Sequence, residues 1–101
     1  MQANDSQTFV LCALADRPLH GYAINTAIEE LTGRRLGPGS LYGALTRLEA
    51  KGLVEPTGGD EHERQRTVRL TTAGRELLAA ELSTMARVSQ RGLRSLGIEP
   101  A

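Results

Sequence analysis

Aromatic residues are nearly missing from this sequence: Phe9, Tyr22 and Tyr42 are the whole set among 101 residues, and there is no tryptophan. Any core must therefore be aliphatic. The single cysteine, Cys12, excludes an internal disulfide and fits a cytoplasmic chain. No run approaches the roughly 18 apolar residues of a transmembrane span, and the N-terminal MQANDSQ lacks the basic start of a secretory signal. Net charge is absent too, with twelve basic residues against twelve acidic ones. That balance counts against a nucleic-acid binder held by bulk charge alone.

The usual ingredients of catalysis and metal binding are also lacking. Gly37-Pro38-Gly39 is followed by no Gly-Lys-Ser/Thr and is not a phosphate-binding loop. His20 and His62 belong to different loops, and no carboxylate pair stands out. Cys12 lies in an apolar run and reads as a small core residue. The Asp60-Glu61-His62-Glu63 run fits no closed set of metal ligands. We expect no enzyme, no cofactor and no bound metal.

What is present is helical period. In Pro38–Val54, PGSLYGALTRLEAKGLV, the apolar residues Leu41, Ala44, Leu45 and Leu48 fall at i, i+3, i+4 and i+7, one face of a helix. Ser40 can cap its N-terminus, and Gly52 closes it. At about 100° per residue, the opposite face carries Tyr42, Gly43, Thr46, Arg47 and Ala50. A solvated face would be crowded with Lys and Glu, whereas this one is shallow, with one tyrosine and one arginine. Such a helix suits close approach to another surface, and the major groove of DNA, about 12 Å wide, is one.

Two helices precede it. Asp5 or Ser6 can cap the first, with Phe9, Val10, Leu11, Ala13 and Leu14 apolar nearly all round, ending at Asp16-Arg17-Pro18. After the Leu19-His20-Gly21 connection, a second helix turns Ala23, Ile24, Ala27, Ile28 and Leu31 inward and Asn25, Glu29 and Glu30 outward, and Thr32-Gly33 stops it. Three short helices joined by tight turns, the third with a lean outer face, form a helix-turn-helix arrangement.

Beyond Gly52 the period changes to two. Leu53-Val54-Glu55-Pro56 and Thr67-Val68-Arg69-Leu70 read as the strands of a hairpin whose long polar tip makes a wing. Thr71 or Thr72 then caps a last helix from about Ala73 to about Leu96. Its stripe of Leu78, Leu82, Met85 and Val88 spans roughly 15 Å. The rest of the chain leaves little to cover that stripe, so the same helix of a second copy is the simplest partner. The fold class expected is mainly α with a small β-hairpin: a winged helix-turn-helix over residues 5–71, a dimerisation helix over 72–96 and a tail over 97–101.

The residues expected at DNA are Tyr22, Ser40, Tyr42, Gly43, Thr46, Arg47, Arg64 and Arg66. A first-turn tyrosine hydroxyl reaches a phosphate, and an arginine a turn later forks onto guanine or phosphate. Ser40 serves as cap, phosphate donor or both. Tyr22 either meets the backbone or covers the core. His20, Arg34 and Arg35 stand near the same surface, where a turn contact or plain solvation is the rival role. Arg64 and Arg66 belong on the hairpin arm, with the acidic tip folded away from phosphate.

His20-Gly21-Tyr22, Pro38-Gly39-Ser40-Leu41-Tyr42, the Leu45-x-x-Leu48-Glu49-x-x-Gly52-Leu53-Val54 run and Arg69-Leu70-Thr71-x-Ala73-Gly74 together resemble PadR-type transcriptional regulators over roughly residues 8–80. The short C-terminal part is similar to the small subclass with a single dimerisation helix. The resemblance implies a dimeric winged-helix repressor on an inverted promoter repeat, often released by a small effector. The chain departs from the family's pattern at Thr67-Val68, where a tyrosine pair is usual, and in its acidic wing. The lack of tryptophan in the last helix argues against the aromatic sandwiching of effectors that some similar regulators use.

The function expected is therefore a sequence-specific, homodimeric DNA-binding regulator, with double-stranded DNA and an unidentified effector as partners. From Arg34 to Arg69 seven basic residues face five acidic ones, a small surplus that a dimer doubles. The rival is a winged helix used as a protein-interaction module without DNA, which zero net charge and the acidic wing favour.

Overall fold

The structure, a computed structural model, describes residues 5–57 and 66–98. Its elements follow in the order α1 (Asp5–Ala13), α2 (Gly21–Thr32), α3 (Pro38–Ala50), β1 (Val54–Pro56), β2 (Val68–Leu70) and α4 (Thr72–Ser95). The expected fold class holds: four helices and a small antiparallel hairpin.

α1 lies at the centre, with its Val10 and Leu11, and Leu14 just past its end, sealed from solvent. It stops at Ala13, short of the expected Asp16, and Ser6 sits inside it rather than capping it. α2 brings in Ile24 and Ile28, and α3 brings in Leu41, Ala44 and Leu48. Val54, Val68 and Leu70 of the hairpin and Leu78 of α4 complete one aliphatic cluster.

Three expectations about burial are corrected. Asn25 is buried, not outward: its Nδ2 donates to the Leu36 carbonyl and its Oδ1 accepts from the Leu36 N–H, each at 2.8 Å. An amide side chain is both donor and acceptor, so it satisfies both backbone groups of the α2–α3 linker where an apolar residue would strand them. Leu31 is in phase with Ile24 and Ile28 yet 62% exposed, because the last turn of α2 meets too little to bury it. Leu78, assigned to the dimer stripe, is only 4% exposed and belongs to the chain's own core.

The ends of α3 also differ from expectation. Gly37 is the N-cap, without a side-chain bond, and Pro38 opens the helix where its missing N–H costs nothing. Ser40 is inside the first turn and is not the cap. At the other end Gly52, at φ 74°, takes the left-handed conformation. Its N–H bonds the Glu49 carbonyl at 3.0 Å and the Leu53 N–H bonds that of Leu48 at 2.9 Å, the pair of a Schellman close.

The chain leaves this turn as β1, which pairs with β2 in the register Val54↔Leu70, Glu55↔Arg69 and Pro56↔Val68. Thr57 and Thr67 continue the pairing, sharing a side-chain hydrogen bond and an N–H to carbonyl bond of 3.1 Å. Leu19, expected to be mere connection, bridges the far edge of β2 through two backbone bonds with Val68 at 3.1 and 3.0 Å.

α4 is fastened to the end of α3. Thr71 is its N-cap: the hydroxyl accepts from the Gly74 N–H at 3.0 Å and donates to the Gly52 carbonyl at 2.6 Å. The Thr71 N–H adds a 3.1 Å bond to the Leu53 carbonyl. Gly74 lies so close beneath that a Cβ there would stand 2.0 Å from the Leu53 oxygen. Only glycine fits such an approach.

Candidate nucleic-acid interface

Packing the leucines of α3 inward leaves Tyr42, Thr46, Arg47 and Ala50 exposed and Gly43 partly so. Tyr42 is 58% exposed and leans toward the start of α2: a Cβ on Gly21 would lie 2.9 Å from its hydroxyl oxygen. Gly21 thus makes room for the phenol. Thr46 spends its hydroxyl proton on the Tyr42 carbonyl at 2.9 Å, which leaves its methyl and oxygen lone pairs to the outside. Arg47 folds back over Gly43, its guanidinium 3.3 Å from where a Cβ would sit, and has no ion-pair partner among the described residues. Ser40 is exposed in the first turn.

Tyr22, on the first turn of α2, is 72% exposed, so it does not cover the core. The Arg35 guanidinium stacks 5.1 Å from its ring centroid and is also held by Glu29 at 2.9 Å and Thr26 at 3.4 Å. The stacked guanidinium, its charge met by Glu29, fixes one edge of the exposed phenol. His20 takes the turn role: its Nδ1 accepts from the Ala23 N–H at 3.4 Å as the cap of α2.

Arg66 is on the hairpin arm as expected, but it is not free. Its Nη2 reaches both carboxylate oxygens of Glu49 at 3.0 and 3.3 Å. Glu49 is in line with Tyr42 and Thr46 on the wing side of α3, and a cleft of about 260 Å³ runs between this flank, Gly21 and Arg66. Arg64 and the acidic run from Asp60 to Glu63 lie outside the described residues. Across the hairpin, Arg69 pairs with Glu55 at 3.0 Å.

The chemistry available is donation to anions. Cys12 is half-buried against the core; burial, and secondarily the Glu81 carboxylate, push its thiol pKa up and disfavour the thiolate. Among the described residues no group of three or more His, Cys, Asp or Glu side chains could hold a metal ion. No helix among them is long and apolar enough to cross a membrane.

On α4, Leu82, Met85 and Val88 are 40%, 49% and 66% exposed. Beside them a shallow groove runs between α1 and α4, where Thr8 donates to Glu81 at 3.2 Å.

Sequence reasoning missed the Asn25 clamp, the Arg35–Tyr22 stack and the Glu49–Arg66 bridge. The first left a faint signal, a lone asparagine beside an apolar stripe. The other two join residues 13 and 17 positions apart and show only once the chain has folded.

Comparison with known proteins agrees with the fold. Residues 10–80 match the transcriptional regulator PadR-like family. The chain is 64% identical over 95 residues to an uncharacterised 37.1 kDa protein in transposon TN4556 of Streptomyces fradiae, covering 94% of this chain but 27% of that protein, so it spans about a quarter of the relative's length. A PadR family transcription regulator from Clostridium difficile has the same fold at a TM-score of 0.75 and 22% identity, over 90% of this chain and 96% of that one. RosR from H. salinarum superposes at 0.69 and 26% identity, over 91% and 92% of the two chains. This chain belongs to the PadR-like family of transcriptional regulators.

Proposed function

We propose that this regulator is a sequence-specific DNA-binding protein that works in the cytoplasm as a homodimeric repressor. α3 enters the major groove with Tyr42, Gly43, Thr46 and Arg47. Tyr22, Ser40, Arg64 and Arg66 meet the flanking phosphates. The observation that carries this reading is Arg47: a guanidinium with no ion-pair partner among the described residues, in the middle of a lean, exposed helix face that also carries the exposed Tyr42. Leu82, Met85 and Val88 of α4 pair with their counterparts in a second copy. Two-fold symmetry then asks for a pseudo-palindromic site with half-sites about one helical turn apart. The groove between α1 and α4 is the place for a small effector, whose chemistry the lining residues do not specify.

The test is fluorescence anisotropy on duplex DNA from upstream of the gene, at low and moderate salt. Saturable binding that outcompetes unrelated DNA supports the reading. Arg47→Ala should then cost about 1–3 kcal/mol of DNA affinity and leave the dimer intact. The second reading, a protein-interaction module, draws support from the neutral chain and from the pairing of Arg66 with Glu49. Absence of any duplex binding would favour it.

A further inference from the structure

Tyr42, Thr46 and Glu49 follow one another at i, i+4 and i+7 and form the wing-side flank of α3. Two of them are neutral groups that suit a groove. The third is a carboxylate, at the edge where phosphates would pass. Its only ion-pair partner among the described residues is Arg66, which comes from the other wall of the cleft. Both side chains stay about 40% exposed, at 40% and 42%, so water and ions reach the pair. An ion pair of that exposure is weakly held, and a phosphate brought alongside can take the carboxylate's place.

We propose that Glu49 is a specificity-setting residue: it neutralises Arg66 in the free protein and releases it only to a phosphate held in register by the docked α3. The inference rests on the DNA-binding reading above. A loosely bound, sequence-independent duplex gains little from Arg66, because phosphate at the wrong distance does not displace Glu49. A duplex seated on α3 brings phosphate to the guanidinium and gains the contact in full. The pair thus lowers affinity for unrelated DNA more than affinity for the proper site. It also accounts for a cation that faces the interface yet contributes no free charge to it.

The experiment uses the whole chain and a 30-base-pair duplex of unrelated sequence as probe. Wild type, Glu49→Gln, Arg66→Gln and the double variant are titrated by anisotropy over a range of salt. Glutamine keeps an acceptor for Arg66 but removes the charge, so the fold should be unaffected, and thermal unfolding of all four forms checks this. Glu49→Gln should tighten binding about three- to tenfold near 0.1 M salt and steepen the salt slope by about one per protomer, as one more phosphate contact does. In the Arg66→Gln background the same change should have at most a third of that effect. Equal tightening in both backgrounds would mean simple relief of repulsion and overturn the proposal. So would weaker binding by Glu49→Gln, which would mean that the pair holds the arm in place for DNA. If neither wild type nor any variant binds duplex, the DNA-binding reading falls and this one with it. Binding without coupling sinks only the role of Glu49.

Discussion

A single methyl group added to Gly74 tests how this chain closes on itself. Alanine is the better helix former, worth up to about 1 kcal/mol over glycine. Here the new Cβ would stand 2.0 Å from the Leu53 carbonyl oxygen, and both partners are backbone, so neither can swing aside. Overpacking of that kind costs on the order of 3 kcal/mol and outweighs the propensity gain. Gly74→Ala should therefore lower the urea midpoint of unfolding by a corresponding amount; an unchanged midpoint would show that α4 can slide off the α3 turn cheaply. At this scale the sequence was uneven as a guide. Tyr22 and Tyr42 stood out as two of only three aromatics, and Arg47 as the one cation on a sparse helix face. Asn25 and Glu49 did not, since a helix wheel shows which way a residue points but not what another segment will place opposite it. Ser40 misled for the opposite reason: serine is a good cap, but Pro38 had already fixed the helix start two residues earlier.

Among the elements, α4 divides its apolar residues between two duties. Leu78 is buried against α1 and the hairpin, whereas Leu82, Met85 and Val88 run on into solvent. Leu78→Ala should destabilise the fold by about 2–5 kcal/mol, as a core truncation does. Leu82→Glu should leave the fold standing and, in the dimer proposed above, give monomers in sedimentation velocity with loss of specific DNA binding. If Leu82→Glu sediments as a dimer, the interface lies elsewhere. α2, α3 and α4 were legible because each carries a helical period and a stop or cap, Gly33 after α2, Gly52 after α3 and Thr71 before α4, whereas α1, apolar nearly all round, showed its presence but not its end. The division within α4 was not legible, because one continuous stripe serves both faces and only the packed core shows where the first duty ends. The Leu19 bridge to Val68 was hidden too, since a single paired residue has no period at all.

For the whole molecule, zero net charge and the DNA binding proposed above are reconciled by where the charges stand. Three arginines, Arg35, Arg66 and Arg69, are already in ion pairs, while Arg34 and Arg47 have no ion-pair partner among the described residues. With Arg34, Arg47 and Lys51 as the cations outside ion pairs among the described residues from Arg34 to Arg69, log affinity for DNA should fall against log salt with a slope on the order of 4 to 6 for a dimer. A slope near zero would defeat the DNA reading, and one near 10 would mean that more of the chain's cations reach phosphate than the free arginines provide. On that proposal most of the affinity would come from fit, through hydroxyls, backbone amides and shape. Fit demands stiffness, and the joint between α3 and α4 provides it. Thr71 and Gly74 lock the first turn of α4 onto the closing turn of α3, so the two helices move as one crank. α4 is 24 residues long, about 36 Å at 1.5 Å per residue. In the dimer proposed above, whatever tilts the far end of that arm would turn the reading head at the near end, and the pitch at which two such heads meet a double helix would be set far from the bases they touch.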